Sequence, residues 1–153
     1  MSSNKLLKAL DDDSNEFLFN YTTKTLMEMI LCILKQLELP KSETLQLLKR
    51  LKGYKFVDEM NDLKYGTYLR WISLVDPDNI ELNRGALFCE IKITDDGVYI
   101  VCKTFGYIPK YFQIKMDECL LFQKLTEQEQ ILLQAIDHVT PGWKGMEYNK
   151  LCY

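Results

Sequence analysis

The residues in this chain that could do chemistry are few and scattered. His138 is the single histidine. Asp137 beside it is not placed to orient it, because adjacent residues on a helix point in different directions. A general base needs a poised pKa and a partner within reach, so His138 reads as structural. The five cysteines, Cys32, Cys89, Cys102, Cys119 and Cys152, contain no Cys-x-x-Cys pair, and one histidine does not complete a zinc site with them. Cys119 lies near Asp117 and Glu118, but no base is in evident reach, which leaves a cysteine nucleophile as the weakest of three readings. The pairs Asp95, Asp96 and Asp117, Glu118 are explained by turns. The run from Asp95 to Tyr99 lacks the oxygen ligands that a calcium loop places at alternate positions. No Gly-x-Gly-x-x-Gly, Walker-type or Gly-x-Ser-x-Gly motif occurs. The expectation is a chain that is not an enzyme, with no catalytic residue, no cofactor and no metal.

The pattern that does suggest contact is a mixture of aromatic and cationic residues in the middle of the chain. The candidate binding residues are Tyr68, Arg70, Tyr99, Lys103, Phe105, Tyr107 and Tyr111. Rings interleaved with cations suit stacking on single-stranded nucleic acid. They equally suit a peptide groove, or packing beneath flanking helices. A net charge of −3 and a pI near 5.3 provide no general cationic field. A protein partner or self-association therefore ranks first, and nucleic acid is the alternative. The helical hairpin read as a helix-turn-helix does not help the alternative, because its second helix offers Glu43 where base contacts usually arise.

These residues need a sheet to position them. Ala86 to Thr94 and Val98 to Phe105 are rich in β-branched and aromatic residues and flank an Asp-Gly turn, a strong hairpin signal. With Asp96 and Gly97 as the loop, Ile93 faces Ile100 and Ile91 faces Cys102. Leu87, Cys89, Ile91, Ile93, Ile100 and Cys102 then form the core face. Gly66 to Leu74, Tyr111 to Met116 and Cys119 to Gln123 read as further strands. Short strands at close spacing predict an α+β protein built on a small antiparallel β-barrel, SH3-like or OB-like, with SH3-like preferred. An open four-stranded sheet with helices on one face is the runner-up.

Helical spacing places Leu26, Ile30, Ile33, Leu34 and Leu37 on one stripe, with Thr22 as N-cap and Pro40 ending the run. Ser42 is expected to cap a second helix through Lys52, stopped at Gly53. Thr126 and Glu129 form a capping box that opens a C-terminal helix. The expected domains are a flexible terminus at 1–15, a helical hairpin at 16–53, a β-barrel with closing helix at 54–140, and an aromatic tail at 141–153 that packs on the domain or a partner. Composition of 47% hydrophobic and 27% charged residues is ordinary for a soluble globular chain. No apolar run is long enough to span a bilayer, so no membrane association is expected. Reduced thiols and an intracellular location follow from the cysteine usage.

At Tyr65 to Ile72, and again at Phe112 to Leu125, the chain resembles small uncharacterised proteins encoded by large nucleocytoplasmic DNA viruses that infect algae and protists. The similarity covers roughly residues 54–138. It implies an intracellular viral accessory or virion-associated protein, in the host cytoplasm or nucleus or in the virion. It carries no catalytic or ligand-binding residue with it.

Overall fold

The computed structural model describes residues 3–13, 15 and 21–139. The tail at 141–153 and residues 16–20 of the expected hairpin lie outside the described residues. The elements are α1 (Ser3–Asp11), α2 (Thr23–Lys35), α3 (Lys41–Arg50), β1 (Tyr54–Val57), β2 (Tyr68–Ser73), β3 (Ala86–Thr94), β4 (Gly97–Lys103), β5 (Tyr111–Lys115), β6 (Cys119–Lys124) and α4 (Glu127–Val139). They form two compact units, Met1–Lys55 with Leu125–Tyr153, and Phe56–Lys124. Residues Leu125 to Val139 thus group with the helices, whereas the sequence reading had joined them to the sheet.

In the helical unit the terminus expected to be flexible is the helix α1. Its Leu6 and Ala9 share one face and pack with Leu26, Leu125, Leu132 and Leu133, which gives the segment a reason to fold. Thr22 caps α2 as expected: its hydroxyl accepts from Thr25 N–H at 3.2 Å, while Thr25 Oγ1 accepts from Thr22 N–H at 2.7 Å. A second cap comes from α4, where the Asp137 carboxylate accepts from Thr23 N–H at 3.0 Å and from the Thr23 hydroxyl. Ser42 does not cap α3. The helix begins two residues earlier, with Pro40 at the N-cap and no side-chain bond there. The capping box of α4 is present, with Thr126 N–H donating to Glu129 Oε1 at 2.9 Å and Glu129 N–H to Thr126 Oγ1 at 3.1 Å. The other oxygen of Glu129 meets Lys55 Nζ at 2.7 Å, and both side chains are buried. Cys32 on α2 is disulfide-bonded, against the expectation of reduced thiols, whereas Cys89, Cys102 and Cys119 are free.

The sheet has the strand order β1-β6-β2-β3-β4-β5, with the β2–β3, β2–β6, β3–β4 and β4–β5 pairings all antiparallel. Among the described residues β1 and β5 end the order and do not pair with each other, so the sheet is open and not the closed barrel expected. It is nevertheless strongly curled. A three-residue 3-10 turn, Met116–Glu118, joins β5 to β6. In a flat sheet those strands would stand four spacings apart, about 19 Å, and one 3-10 turn rises only about 6 Å. Trp71 on β2 and Phe112 on β5 also bring their ring centroids to 5.5 Å across the concave face. Curling of this degree encloses Leu69, Trp71, Ala86, Phe88, Ile100, Cys102 and Leu121 without a second sheet.

The hairpin register differs from the expected one. Thr94 pairs with Gly97, leaving Asp95 and Asp96 as the two-residue loop, so Ile93 faces Val98 and Ile91 faces Ile100. A bulge between Phe88 and Glu90 then shifts the alternation, so that Phe88 faces Cys102 in the core and Leu87 turns to the opposite face.

Candidate interaction surface

The convex face of the sheet gathers most of the candidate binding residues. Tyr68 on β2 stands opposite Leu87 on β3, Leu87 opposite Lys103 on β4, and Lys103 opposite Tyr111 on β5. These four side chains therefore form one row running across four strands. At its β2 end the Tyr68 ring stacks on Phe105, with centroids 5.5 Å apart and planes 21° from parallel. At its β5 end Lys103 Nζ sits over the Tyr111 ring, 5.9 Å from the centroid. The result is a shelf of two stacked rings, one aliphatic side chain and one cation-capped ring.

Gly85 makes the stacked end of the shelf sterically accessible. Its φ is +109°, and a Cβ there would strike Tyr68 Cε1 and lie 2.8 Å from Leu69 O and 2.9 Å from Tyr68 Cζ. Lacking a side chain, Gly85 lets the Tyr68 ring lie across the start of β3 and reach Phe105. The Tyr68 hydroxyl donates to Arg84 C=O at 3.2 Å and holds the ring there.

The other candidates take separate places. Arg70 Nε donates to Asn83 C=O at 2.9 Å, which ties β2 to the long β2–β3 loop beside the shelf. Tyr107 is fully exposed on the β4–β5 loop, with Ile108 exposed next to it. That loop is clamped by Thr104 N–H donating to Lys110 C=O at 2.9 Å and by Lys110 N–H donating to Thr104 Oγ1 at 3.0 Å. Tyr99 is not part of the shelf. It pairs with Lys115 and Lys92, four residues along β4 from Lys103 and so roughly 13 Å away. Its hydroxyl donates to Asp96 Oδ2 at 2.6 Å. That bond, together with the Lys115 charge, holds the Asp96 carboxyl below the ordinary carboxylate range, and the same bond raises the Tyr99 phenol. Tyr99 is therefore a strut of the hairpin turn.

Sequence reasoning missed two members of the surface. Leu87 had been assigned to the core, and the only signal against that was the unbroken apolar run Ala86, Leu87, Phe88, Cys89, which cannot alternate throughout. Ile108 was passed over as a loop residue. A buried polar node supports the same unit from beneath. Gln123 is fully buried, its Oε1 accepts from Lys64 N–H at 2.8 Å and lies 2.9 Å from the Thr67 hydroxyl, and its Nε2 donates to Asp62 C=O.

The groups first weighed for catalysis are engaged elsewhere. Asp137 caps α2 and does not address His138, which is exposed near the end of α4. Burial pushes the Cys119 and Cys102 thiols up to about 12, which leaves almost no thiolate at neutral pH. In the helical unit an open cavity of about 290 Å³ is lined by Leu26, Met27, Tyr54, Leu125 and Leu133 together with Lys52. Among its described lining residues there is no carboxylate, histidine or cysteine. No helix among the described residues is long and apolar enough to cross a membrane.

No family model, curated protein or solved structure matches the chain.

Proposed function

We propose that this chain is a non-catalytic protein-interaction module that contacts its partner through the convex shelf of Tyr68, Leu87, Lys103, Phe105 and Tyr111, extended by Tyr107 and Ile108. One observation carries the reading. Within seven residues, Phe105, Tyr107, Ile108 and Tyr111 are 66%, 107%, 79% and 66% exposed. A cluster of large apolar side chains left in water on a clamped loop and the start of the following strand is what contact surfaces present, and tyrosine and phenylalanine are enriched in interface cores. The curled sheet, with its one-turn link between β5 and β6, supports an SH3-like arrangement left open at β5. Partner binding on this surface needs no movement of the core, because the shelf residues stand on paired strands and a clamped loop.

Quantitative capture from native cell extract tests this reading. The full chain is compared with Phe105→Ser/Tyr111→Ser and with Ile93→Ser, an equally exposed position at the far end of β3. Proteins lost with the double variant and kept with Ile93→Ser support the shelf, and identical capture by all three overturns it. The cation over Tyr111 favours one second reading, single-stranded nucleic acid stacked on the same rings. Retention on single-stranded DNA that falls steeply with salt selects it, and no retention at low salt removes it.

A further inference from the structure

The shelf uses one face of the sheet, whereas β5 also presents an edge. β5 ends the strand order, so one row of its backbone groups faces away from β4. The loop bond fixes which row this is. Thr104 N–H donates to Lys110 C=O, in register with the pairs Cys102 to Phe112 and Ile100 to Ile114. Hydrogen-bonded and non-hydrogen-bonded pairs alternate along an antiparallel ladder. Lys110, Phe112 and Ile114 therefore turn their amides to β4, and Tyr111, Gln113 and Lys115 turn theirs outward.

This edge is complementary to itself run backwards. Antiparallel pairing centred on Gln113 sets that amide against the same amide of a second copy. It places Tyr111 opposite Lys115, a ring against an ammonium, and Phe112 opposite Ile114 on the core face. Continued outward, the same register brings Lys110 of one copy to the Asp117 and Glu118 turn of the other, basic end to acidic end. No two charged residues stand directly opposite each other in this register, although Lys115 approaches a ring that Lys103 of the ring's own copy already caps. Of the usual devices that block an edge, Tyr111–Lys115 carries one, the lysine at its end, which falls opposite a ring; the strand has no proline and no break in register.

We propose that β5 pairs with β5 of a second copy of this chain, forming a two-fold dimer with one continuous sheet and up to about six interchain backbone hydrogen bonds, those to Lys115 C=O being shared with the bond it accepts from Cys119 Sγ at 3.4 Å. The pairing is isologous, so it closes at two copies. It goes beyond the shelf reading, and the two can fail separately: capture reads the shelf, and the mass of the purified chain reads the edge. A five-residue ladder buries less than the roughly 1,600 Å² of a standard interface, so half-dimerisation is expected between about 10 and 500 µM.

Sedimentation equilibrium of the full chain, taken to about 1 mM, provides the test. The mass should rise from 18.0 kDa toward twice that value. Gln113→Pro removes an outward N–H and no bond to β4, and should raise the midpoint tenfold or more while leaving the melting transition cooperative. Gln113→Cys keeps the backbone intact and should cross-link under mild oxidation, since the two axis residues lie about 5.5 Å apart. Tyr111→Cys should not, because its own copy lies about 14 Å away. A mass that stays at 18.0 kDa throughout, a dimer indifferent to Gln113→Pro, or equal cross-linking at 111 and 113 overturns the proposal.

Discussion

Replacing Gly85 with alanine tests the link between backbone and shelf most sharply. The added Cβ meets Leu69 O at 2.8 Å and the Tyr68 ring, and the backbone stands at φ +109°, where side-chain-bearing residues are strained. Strain of this kind costs about 1–3 kcal/mol. Displacing Tyr68 from Phe105 forfeits roughly 0.5–1.5 kcal/mol of ring–ring interaction. Together the loss should be about 2–4 kcal/mol, a fall in Tm of roughly 5–15 °C for a chain of this size. Gly66→Ala is the control, because its φ is +79° and a Cβ there meets nothing within 4 Å. Only the left-handed backbone then opposes it, at about 1 kcal/mol. Urea unfolding of both variants gives the comparison. Equal losses at the two positions would refute the claim that Gly85 is required by the ring lying across it.

Lys55→Met strands the buried carboxylate of Glu129 without this ammonium and should cost about 3–5 kcal/mol, whereas the double change Lys55→Met/Glu129→Leu should recover most of that, less roughly 1 kcal/mol for the lost cap. Chemical denaturation of the single and double variants decides the order. The Tyr99–Asp96 strut has a defined pH window. Asp96 is lowered from 3.8, so its contribution is present above that value and lost as pH falls through the lower folded pKa. Tyr99 is raised from 10.0, so its contribution is present below that value and lost as pH rises through the higher folded pKa. Tyrosinate absorbance should show the Tyr99 phenol titrating above its ordinary value, and Asp96→Asn should move that titration to lower pH. Cys102, which is buried, should react with a thiol reagent at pH 8 only after unfolding, and half-buried Cys119 should react slowly before it; fast labelling of either in the folded chain would contradict their raised thiols.

Much of the fold was legible because its signals are local. The Thr22 and Glu129 caps, the existence of the β3–β4 hairpin though not its register, and the apolar alternation of Phe112 and Ile114 each depend on residues within a few positions. The errors lie where tertiary packing decides. Leu6 and Ala9 look like a polar terminus until α4 supplies a surface. The Cys89 bulge exchanges Leu87 and Phe88 between faces, and nothing in the run marks which residue is extra. Curling without closure depends on the 3-10 turn at Met116–Glu118, whose residues specify no barrel. The candidate surface was read as a composition of rings and cations, and five of its seven residues, Tyr68, Lys103, Phe105, Tyr107 and Tyr111, belong to the shelf and its loop. Tyr99 was drawn away by Asp96, a neighbour three residues off that the turn alone brings into reach, and Arg70 by the carbonyl of Asn83.

Site-specific photo-cross-linking in native extract reaches the central claim directly. A photoreactive phenylalanine analogue is placed at Tyr107, on the exposed loop beside the shelf, and in a second protein at Ile93, at the hairpin end. The shelf account predicts discrete protein adducts from position 107 that Phe105→Ser abolishes, with none from position 93. Adducts from position 93 alone, or adducts at 107 that persist without Phe105, would contradict it.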